Sequence, residues 1–495
     1  MPMVGNGSRR SEVVRWALLS RALVWAVSFV ASQLVTSYDT STSIVYPGED
    51  PSVVGAQTLT DAVVWRCFGQ FARWDAAYFL RIAEVGYEYE KVHAFGPGLP
   101  ALIAAVRRVT GLAWLDTPST LGGKDVVLHV RSSLLLAGTL VSLVAFVGAA
   151  VAMYELSRVV LKNEKQSYLA AVLFCFNPAS IFMSAVYTES AFACFSFFGM
   201  LCFELGIETS LKKITSCRGV SFEFLGVSLF FAATAVRSNG IVLAGFIVYF
   251  FFKRYLWFIC ASNILRVPNH PAVNATWELQ RSLLGFLKHA TFLWMSTAPY
   301  FLVLEYARSL YCNGHADTAV TSPDRPWCAN SNIYAFVQKE YWSLGPFAYY
   351  EVKQIPNFLL ACPAIGLSFG AAASYVKRVH HRPECHGKYP LIDRMTAFMG
   401  LNNREDSLDL PLVGYHSHRV AVYVWYMMAL TLFGMVVMHI QVVTRFLCAS
   451  SPPLYWFVAS RIQKKKTFQT NAILLYFSVF VVMGSIVFST FYPWT

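Results

Sequence analysis

Residues 71–100 read FARWDAAYFLRIAEVGYEYEKVHAFGPGLP, a cluster of charges, aromatic rings and turn formers set among long apolar segments. Arg73, Trp74 and Asp75 are consecutive, and Tyr78, Arg81 and Glu84 follow at helical spacing. Tyr87, Glu88 and Glu90 then lead into a turn through Gly96, Pro97, Gly98 and Pro100. A helix from Phe71 to about Gly86 puts Asp75, Tyr78 and Arg81 on neighbouring turns of one face. In isolation this pattern fits a charged amphipathic helix on a membrane surface as well as it fits a site. The flanking chain decides between them.

The 495 residues are 56% hydrophobic and 14% charged, with a mean hydropathy of +0.46. Soluble chains carry about 25% charged residues, so the composition is that of a membrane protein. An aromatic content of 16% suits many membrane–water interfaces, where Trp and Tyr anchor. The net charge of +12 sits in short basic runs between apolar segments, as the positive-inside bias predicts, and argues against nucleic acid as a partner. Eleven cysteines form no CxxC pair and no Cys/His cluster at metal spacing, so no metal site is predicted. Cys312 and Cys328 share one polar loop and pair if that loop faces an oxidising lumen.

Arg9 and Arg10 precede an apolar run, residues 13–35, that reads as a retained signal anchor. With those arginines cytoplasmic, residues 36–128 form a lumenal loop carrying the opening motif, and Leu99–Val106 is too short to span. Further spans are read at 130–160, 168–182, 185–205, 222–236, 241–252, 284–306, 355–376, 420–446 and 473–491. A second lumenal loop covers residues 307–354. That makes an all-α polytopic protein of about ten transmembrane helices, best treated as a single membrane-embedded unit over 1–495. Basic clusters alternate correctly except Arg461–Lys466, which this count leaves in the lumen. Either Pro452–Ser460 crosses, or the late loop ignores the bias. The Asn6 and Asn274 sequons fall on the cytoplasmic side, where no glycan is expected.

Ionisable residues beside spans are expensive and mark function by default. On the lumenal side they are Arg73 and Asp75, Glu189 of YTES, Arg237 and Asn239 of VRSNG, Glu340, Tyr350, Glu351 and Gln354, and Gln441 and Arg445 of HIQVVTR. Five separated segments thus reach one level of the membrane. Some have a plainer reading: Arg237 snorkels, Glu351 anchors a span, Trp74, Trp327 and Trp342 belong to an interfacial belt, and Asn177-Pro178 is a kink. Asp75 is the hardest to dismiss, a carboxylate beside Arg73 that should stay ionised and serve as a base. A site of this kind suits a lipid-linked polar substrate, with one carboxylate deprotonating an acceptor hydroxyl and arginines holding a phosphate. A phosphate leaving group needs no general acid, and the GxGxxG or P-loop of a soluble nucleotide enzyme is missing.

The segments RWDAAYFLRIAEVGYEYEKVHAFGPGLP, FNPASIFMSAVYTESAFA (176–193), ATAVRSNGIV (233–242), PWC (326–328), VQKEYWSLGPFAYYEVKQIPNFLLACP (337–363), HIQVVTRF (439–446) and the terminal YPWT together resemble the PIG-V family, the GPI mannosyltransferase 2 enzymes. The resemblance runs in order over nearly the whole chain. It implies a GT-C-type glycosyltransferase of the endoplasmic-reticulum membrane with a lumenal site built from loops. The implied reaction adds the second mannose, α-1,6-linked, to the GPI precursor from dolichyl-phosphate mannose, with inversion. By the same resemblance Asp75, Trp74 and Arg73 form the catalytic motif. Arg237 and Arg445 go to the donor phosphate, and Glu189, Glu340, Tyr350 and Glu351 to sugar or acceptor. Asn239, Gln354 and Gln441 join the substrate-binding set. The resemblance also implies a small membrane partner subunit, on which the residues are silent.

Neither cofactor nor metal is demanded, there being no Asp-X-Asp pair. Gly96 departs from the expected bulky residue before Pro97, which is read as loosening only a turn. Two other readings stand beside this one: another dolichyl-phosphate-sugar transferase, and a transporter, which would show two similar halves.

Overall fold

The computed structural model describes residues 6–38, 58–115, 128–212, 217–253, 275–312, 325–330, 332–380, 399, 413–464 and 467–494. Among them every regular element is a helix. In chain order the longer ones are α1 (Asn6–Leu34), α2 (Leu59–Phe68), α3 (Ala76–Val85), α4 (Gly98–Val109), α5 (Val130–Leu161), α6 (Glu164–Cys175), α7 (Thr188–Lys212) and α8 (Cys217–Val236). They continue with α9 (Ala244–Phe251), α10 (Ala275–Tyr311), α11 (Ile333–Trp342), α12 (Ile355–His380), α13 (Ala421–Val437), α14 (Val442–Ser450), α15 (Pro452–Gln463) and α16 (Thr467–Ser489).

Among the described residues, seven helical stretches are long and apolar enough to cross a membrane. They lie in α1, α5, α7, α8, α12, α13 and α16. The other three spans read from the sequence take different forms. Residues 168–182 are split between the 12-residue α6 and a turn. The stretch 241–252 begins as a 3-10 helix, Ser238–Leu243, before α9. Residues 284–306 lie within the 37-residue α10, whose charged and polar positions dilute its apolar character. The stretch 420–446 is broken, because α13 stops at Val437 and α14 begins five residues later.

Cross-links between elements define two ends of the bundle. At one end Arg10 pairs with Glu155 at 2.6 Å, Arg158 with Glu164 at 3.0 Å and Lys288 with Glu223. The α15 indole of Trp456 donates to Ser157 at 2.7 Å, just before Arg158, so α14 and α15 together traverse the bundle and bring Arg461 to this basic end. Of the two alternatives read from the sequence, this placement favours the one in which Pro452–Ser460 forms part of a passage through the bundle. Pro452 and Pro453 open α15, and Ser450 and Ser451 precede them, which interrupts the apolar pattern along this passage.

The opposite end carries the 71–100 segment. Its helix begins at Ala76, not Phe71, because Gly69–Phe71 is a 3-10 turn and Trp74 takes a left-handed φ of +56°. Gly86, at φ +86°, ends α3 as expected. Arg81 is spent locally, on Glu88 at 2.8 Å and Glu84 at 3.2 Å. Cys312 and Cys328 are joined, and Trp327 beside them is buried in a small core with Ala307, Ile333 and Val337 instead of sitting in an interfacial belt. Asn274 and most of the loop before His416 lie outside the described residues.

Candidate active site

Two hydrogen bonds fasten the RWDA segment to the turn that precedes α7. Val186 N–H donates to the Phe71 carbonyl at 3.0 Å, and Asp75 N–H donates to the Tyr187 hydroxyl at 3.0 Å. Asp75 caps the start of α3 without using its carboxylate for the cap. Its neighbours face away from it: Trp74 packs on Phe491 at 5.9 Å, and the Arg73 guanidinium lies over the same ring at 4.1 Å.

A second fastening brings α8 in. A Cβ on Gly96 would stand 2.5 Å from the Ala235 carbonyl oxygen, and one on Gly98 would stand 2.6 Å from the Val236 nitrogen. Both glycines are therefore contact points on the end of α8, which correct the reading of Gly96 as a mere loosening of a turn. The contact fixes where α8 stops and where Arg237, the next residue, projects.

The side chains so placed form a chain of alternating charge. Arg237 Nη1 donates to Glu189 Oε1 at 2.9 Å, and Arg445 Nε lies 3.8 Å from the same oxygen. Arg445 Nη1 is 3.6 Å from Asp75 Oδ2. Two carboxylates and two guanidiniums cancel, which is what makes their burial tolerable. Glu189 sits in the first turn of α7, where the helix dipole favours an anion. Rings flank both cations: Phe182 lies 5.1 Å from Arg445, and Phe446 lies 5.2 Å from Arg237.

These residues line a cavity of about 420 Å³, closed by Phe79, Phe95, Tyr187, Tyr300, Tyr334 and Trp342. Glu189 is sealed behind the arginines with its side chain 1% exposed, whereas that of Asp75 is 35% exposed and opens into the cavity. Protein surrounds Asp75 nonetheless, and burial raises its carboxyl above the ordinary aspartate value; Arg445 opposes the shift and Glu189 adds to it. The expectation of an ordinary ionised carboxylate is replaced by one of a more basic one. His439 also lines the cavity, stacked on Tyr349 at 4.5 Å. Its Nε2 lies 2.8 Å from the Trp342 carbonyl, and burial lowers its pKa, so it is the neutral imidazole with Nε2–H donating.

Of the residues singled out in the sequence, Asp75, Glu189, Arg237, Asn239 and Arg445 share this cavity. Asn239 is buried there, with both side-chain polar atoms lacking a protein partner. Arg73 and Trp74 stand behind Asp75, and Gln441 sits at the N-cap of α14, outside the lining. Glu340, Tyr350 and Glu351 are exposed and are not brought to the cavity. Tyr350 donates to the Met435 carbonyl at 3.0 Å, Glu351 pairs with Lys353 at 2.5 Å, and Gln354 accepts from Asn357 at 2.7 Å. Sequence reasoning missed Tyr187, Tyr334 and His439 as lining residues. Tyr187 opens YTES and His439 opens HIQVVTR, so adjacency to a chosen motif was the available signal. Among the described residues no group of three or more His, Cys, Asp or Glu is placed to hold a metal ion.

The cavity thus sets one carboxylate, Asp75, opposite two arginines within aromatic walls. The family model for Mannosyltransferase (PIG-V) matches residues 10–495, and the chain belongs to that family of mannosyltransferases. It is 31% identical to human GPI alpha-1,6-mannosyltransferase 2 over 476 residues, covering 92% of this chain and 85% of the human protein. GPI mannosyltransferase 2 of Gibberella zeae is 27% identical over 477 residues, covering 96% and 95%. Among solved structures, the archaeal oligosaccharyltransferase AglB from Archaeoglobus fulgidus aligns with a TM-score of 0.42 at 10% identity, over 97% of this chain and 56% of AglB.

Proposed function

We propose that this glycosyltransferase adds the second mannose, in α-1,6 linkage, to a GPI precursor, using dolichyl-phosphate mannose on the lumenal face of the endoplasmic-reticulum membrane. The observation that supports it most is the juxtaposition of Asp75 with Arg445 and Arg237 in one cavity. In this reading the acceptor hydroxyl attacks C1 of mannose from the face opposite the phosphate. The C1–O bond breaks, its electron pair leaves with dolichyl phosphate, and Asp75 takes the hydroxyl proton. A single in-line displacement turns a β-linked donor into an α product.

The arginines receive the departing charge, and a phosphate competing for Arg445 would free Asp75 to accept the proton. Glu189 holds both guanidiniums, and Asn239, with its unpaired amide, contacts sugar hydroxyls. Arg73 and Trp74 position Asp75 by packing on Phe491. Gln441 sets the start of α14, while Glu340, Tyr350, Glu351 and Gln354 meet the acceptor as it enters past the exposed 333–354 segment. The whole chain acts as one GT-C-type catalytic unit, residues 36–128 and 307–354 lying in the lumen. A small membrane partner subunit would act outside this cavity.

The test is complementation. Wild-type chain and Asp75→Asn are expressed at equal level in cells lacking GPI mannosyltransferase 2, and surface GPI-anchored protein is scored. Rescue by wild type alone is expected. Rescue by both removes Asp75 from the chemistry, and no rescue by well-expressed wild type, with a different GPI lipid accumulating, removes the acceptor.

A further inference from the structure

Beside the polar cavity a second hollow of about 440 Å³ opens between α9 and α13, and no charged residue lines it. Val242 lines both spaces, so the two adjoin at that residue. One wall is a helical stripe through Val242, Gly245, Phe246 and Tyr249; the other runs through Trp425 and Ala429. One turn beyond Ala429, Phe433 already belongs to the polar cavity. The floor is aromatic, with Phe246 packed on Tyr423 at 5.1 Å and on Tyr426 at 5.3 Å. Gly245 leaves the hollow open, since a Cβ there would meet nothing within 4 Å.

From this adjacency we infer that the hollow is a groove for the single isoprenoid chain of the donor, an inference that rests on the reading of a lipid-phosphate donor. In such a donor the phosphate is bonded directly to the chain. A phosphate at Arg237 and Arg445 therefore places its first isoprene unit at the cavity wall, and Val242, five residues after Arg237, is where the wall turns apolar. The diacyl chains of a GPI acceptor are separated from the reacting hydroxyl by several sugars and a phosphodiester, so nothing requires them to leave through this wall. From Val242 to Phe252 the groove follows the helix for roughly 15 Å, room for about three isoprene units.

The experiment uses the full chain in lipid nanodiscs, with synthetic mannosyl phosphates carrying one to eleven isoprene units and a fixed GPI-precursor acceptor. For wild type, kcat/KM climbs to about three units and then levels. Gly245→Phe, at a position where a Cβ meets no protein atom within 4 Å, fills the groove and lowers kcat/KM for the long donors at least tenfold, mainly through KM. The one-unit donor and the acceptor KM stay within twofold of wild type. Gly366→Phe is the control, at a glycine of α12 that also has open space at its Cβ but lies outside the groove. Ala429→Phe, from the opposite wall, repeats the test should Gly245→Phe fail to fold. An unchanged chain-length profile in both groove variants overturns the assignment, and so does a raised acceptor KM with the donor untouched, which would give the groove to the acceptor's acyl chains. A wild type that uses no polyprenyl-phosphate mannose of any length refutes the donor reading itself, and the groove assignment with it.

Discussion

Asp75 is held between opposing influences, and the balance is open to measurement. A base must be deprotonated to work, so activity falls as pH drops through its pKa. Burial and Glu189 raise that pKa above the usual aspartate value of 3.8, so the acid limb of kcat lies above the ordinary aspartate range. Glu189→Gln removes a negative neighbour and moves the limb to lower pH. Arg445→Gln removes the opposing cation and moves it to higher pH, so the two shifts have opposite sign. Equal shifts in both variants would detach the limb from Asp75. Asp75→Asn itself lowers kcat by about 10²–10⁴, the ordinary worth of a general base, and, at the more exposed end of the cluster, lowers Tm less than Glu189→Gln does. Glu189→Gln, by contrast, leaves two buried guanidiniums facing a neutral amide and destabilises the fold by about 3–5 kcal/mol, read as a drop in Tm of the detergent-purified protein.

Among the elements, the joint between the Gly96–Gly98 turn and the end of α8 does most to set the site, because it ties the segment bearing Asp75 to the residue before Arg237. Backbone atoms stand where either Cβ would go, and backbone does not yield as a flexible side chain does. Gly98→Ala therefore costs about 1–3 kcal/mol, while Gly366→Ala, inside α12 with open space around it, stabilises by roughly 0.5–1 kcal/mol through helix propensity alone. Thermal unfolding of the two variants separates these signs, and a neutral Gly98→Ala would remove the joint. The same elements show what a sequence makes legible. Apolar runs of span length sit at α1, α5 and α16 because lipid burial writes directly into hydropathy. Asp75, Glu189, Arg237 and Arg445 stood out because charge beside such runs is rare. The breaks were hidden, since the left-handed Trp74, the 3-10 turn at Ser238–Leu243 and the gap between α13 and α14 depend on tertiary contacts and leave no periodic mark. Gly96 was visible as an oddity, but its partner Ala235 lies far along the chain. Glu340 and Glu351 could not be placed relative to the cavity for the converse reason: a charged loop next to a span looks the same whether it faces a cavity or solvent.

At the scale of the whole molecule, the crossing formed by α14 and α15 changes where the late basic residues lie. Trp456 bonded to Ser157, and Tyr423 bonded to Glu204 at 2.9 Å, put the end of α15 and the start of α13 at the end of the bundle that holds Arg158. Tyr38 N–H bonded to the Thr490 carbonyl at 3.0 Å puts the end of α16 at the other, beside Asp75. Arg10, Arg158 and Arg461 then share one end, which the positive-inside bias would make the cytoplasmic one, and the Cys312–Cys328 pair would lie on the side where disulfides persist. Exposed positions report this directly. Cys217, a free and exposed thiol at the start of α8, reacts with a membrane-impermeant maleimide in sealed microsomes. With Cys217 changed to Ser, Lys464→Cys reacts under the same conditions, while Glu340→Cys reacts only after the membrane is opened with detergent. Lys464→Cys protected in sealed vesicles would put α15 back on the lumenal side and undo the crossing. Glu340→Cys labelled in sealed vesicles would turn the catalytic cavity toward the cytosol. Since a lumenal base and a lumenal sugar donor must share one compartment, that second outcome would also exclude dolichyl-phosphate mannose presented from the lumen as the donor.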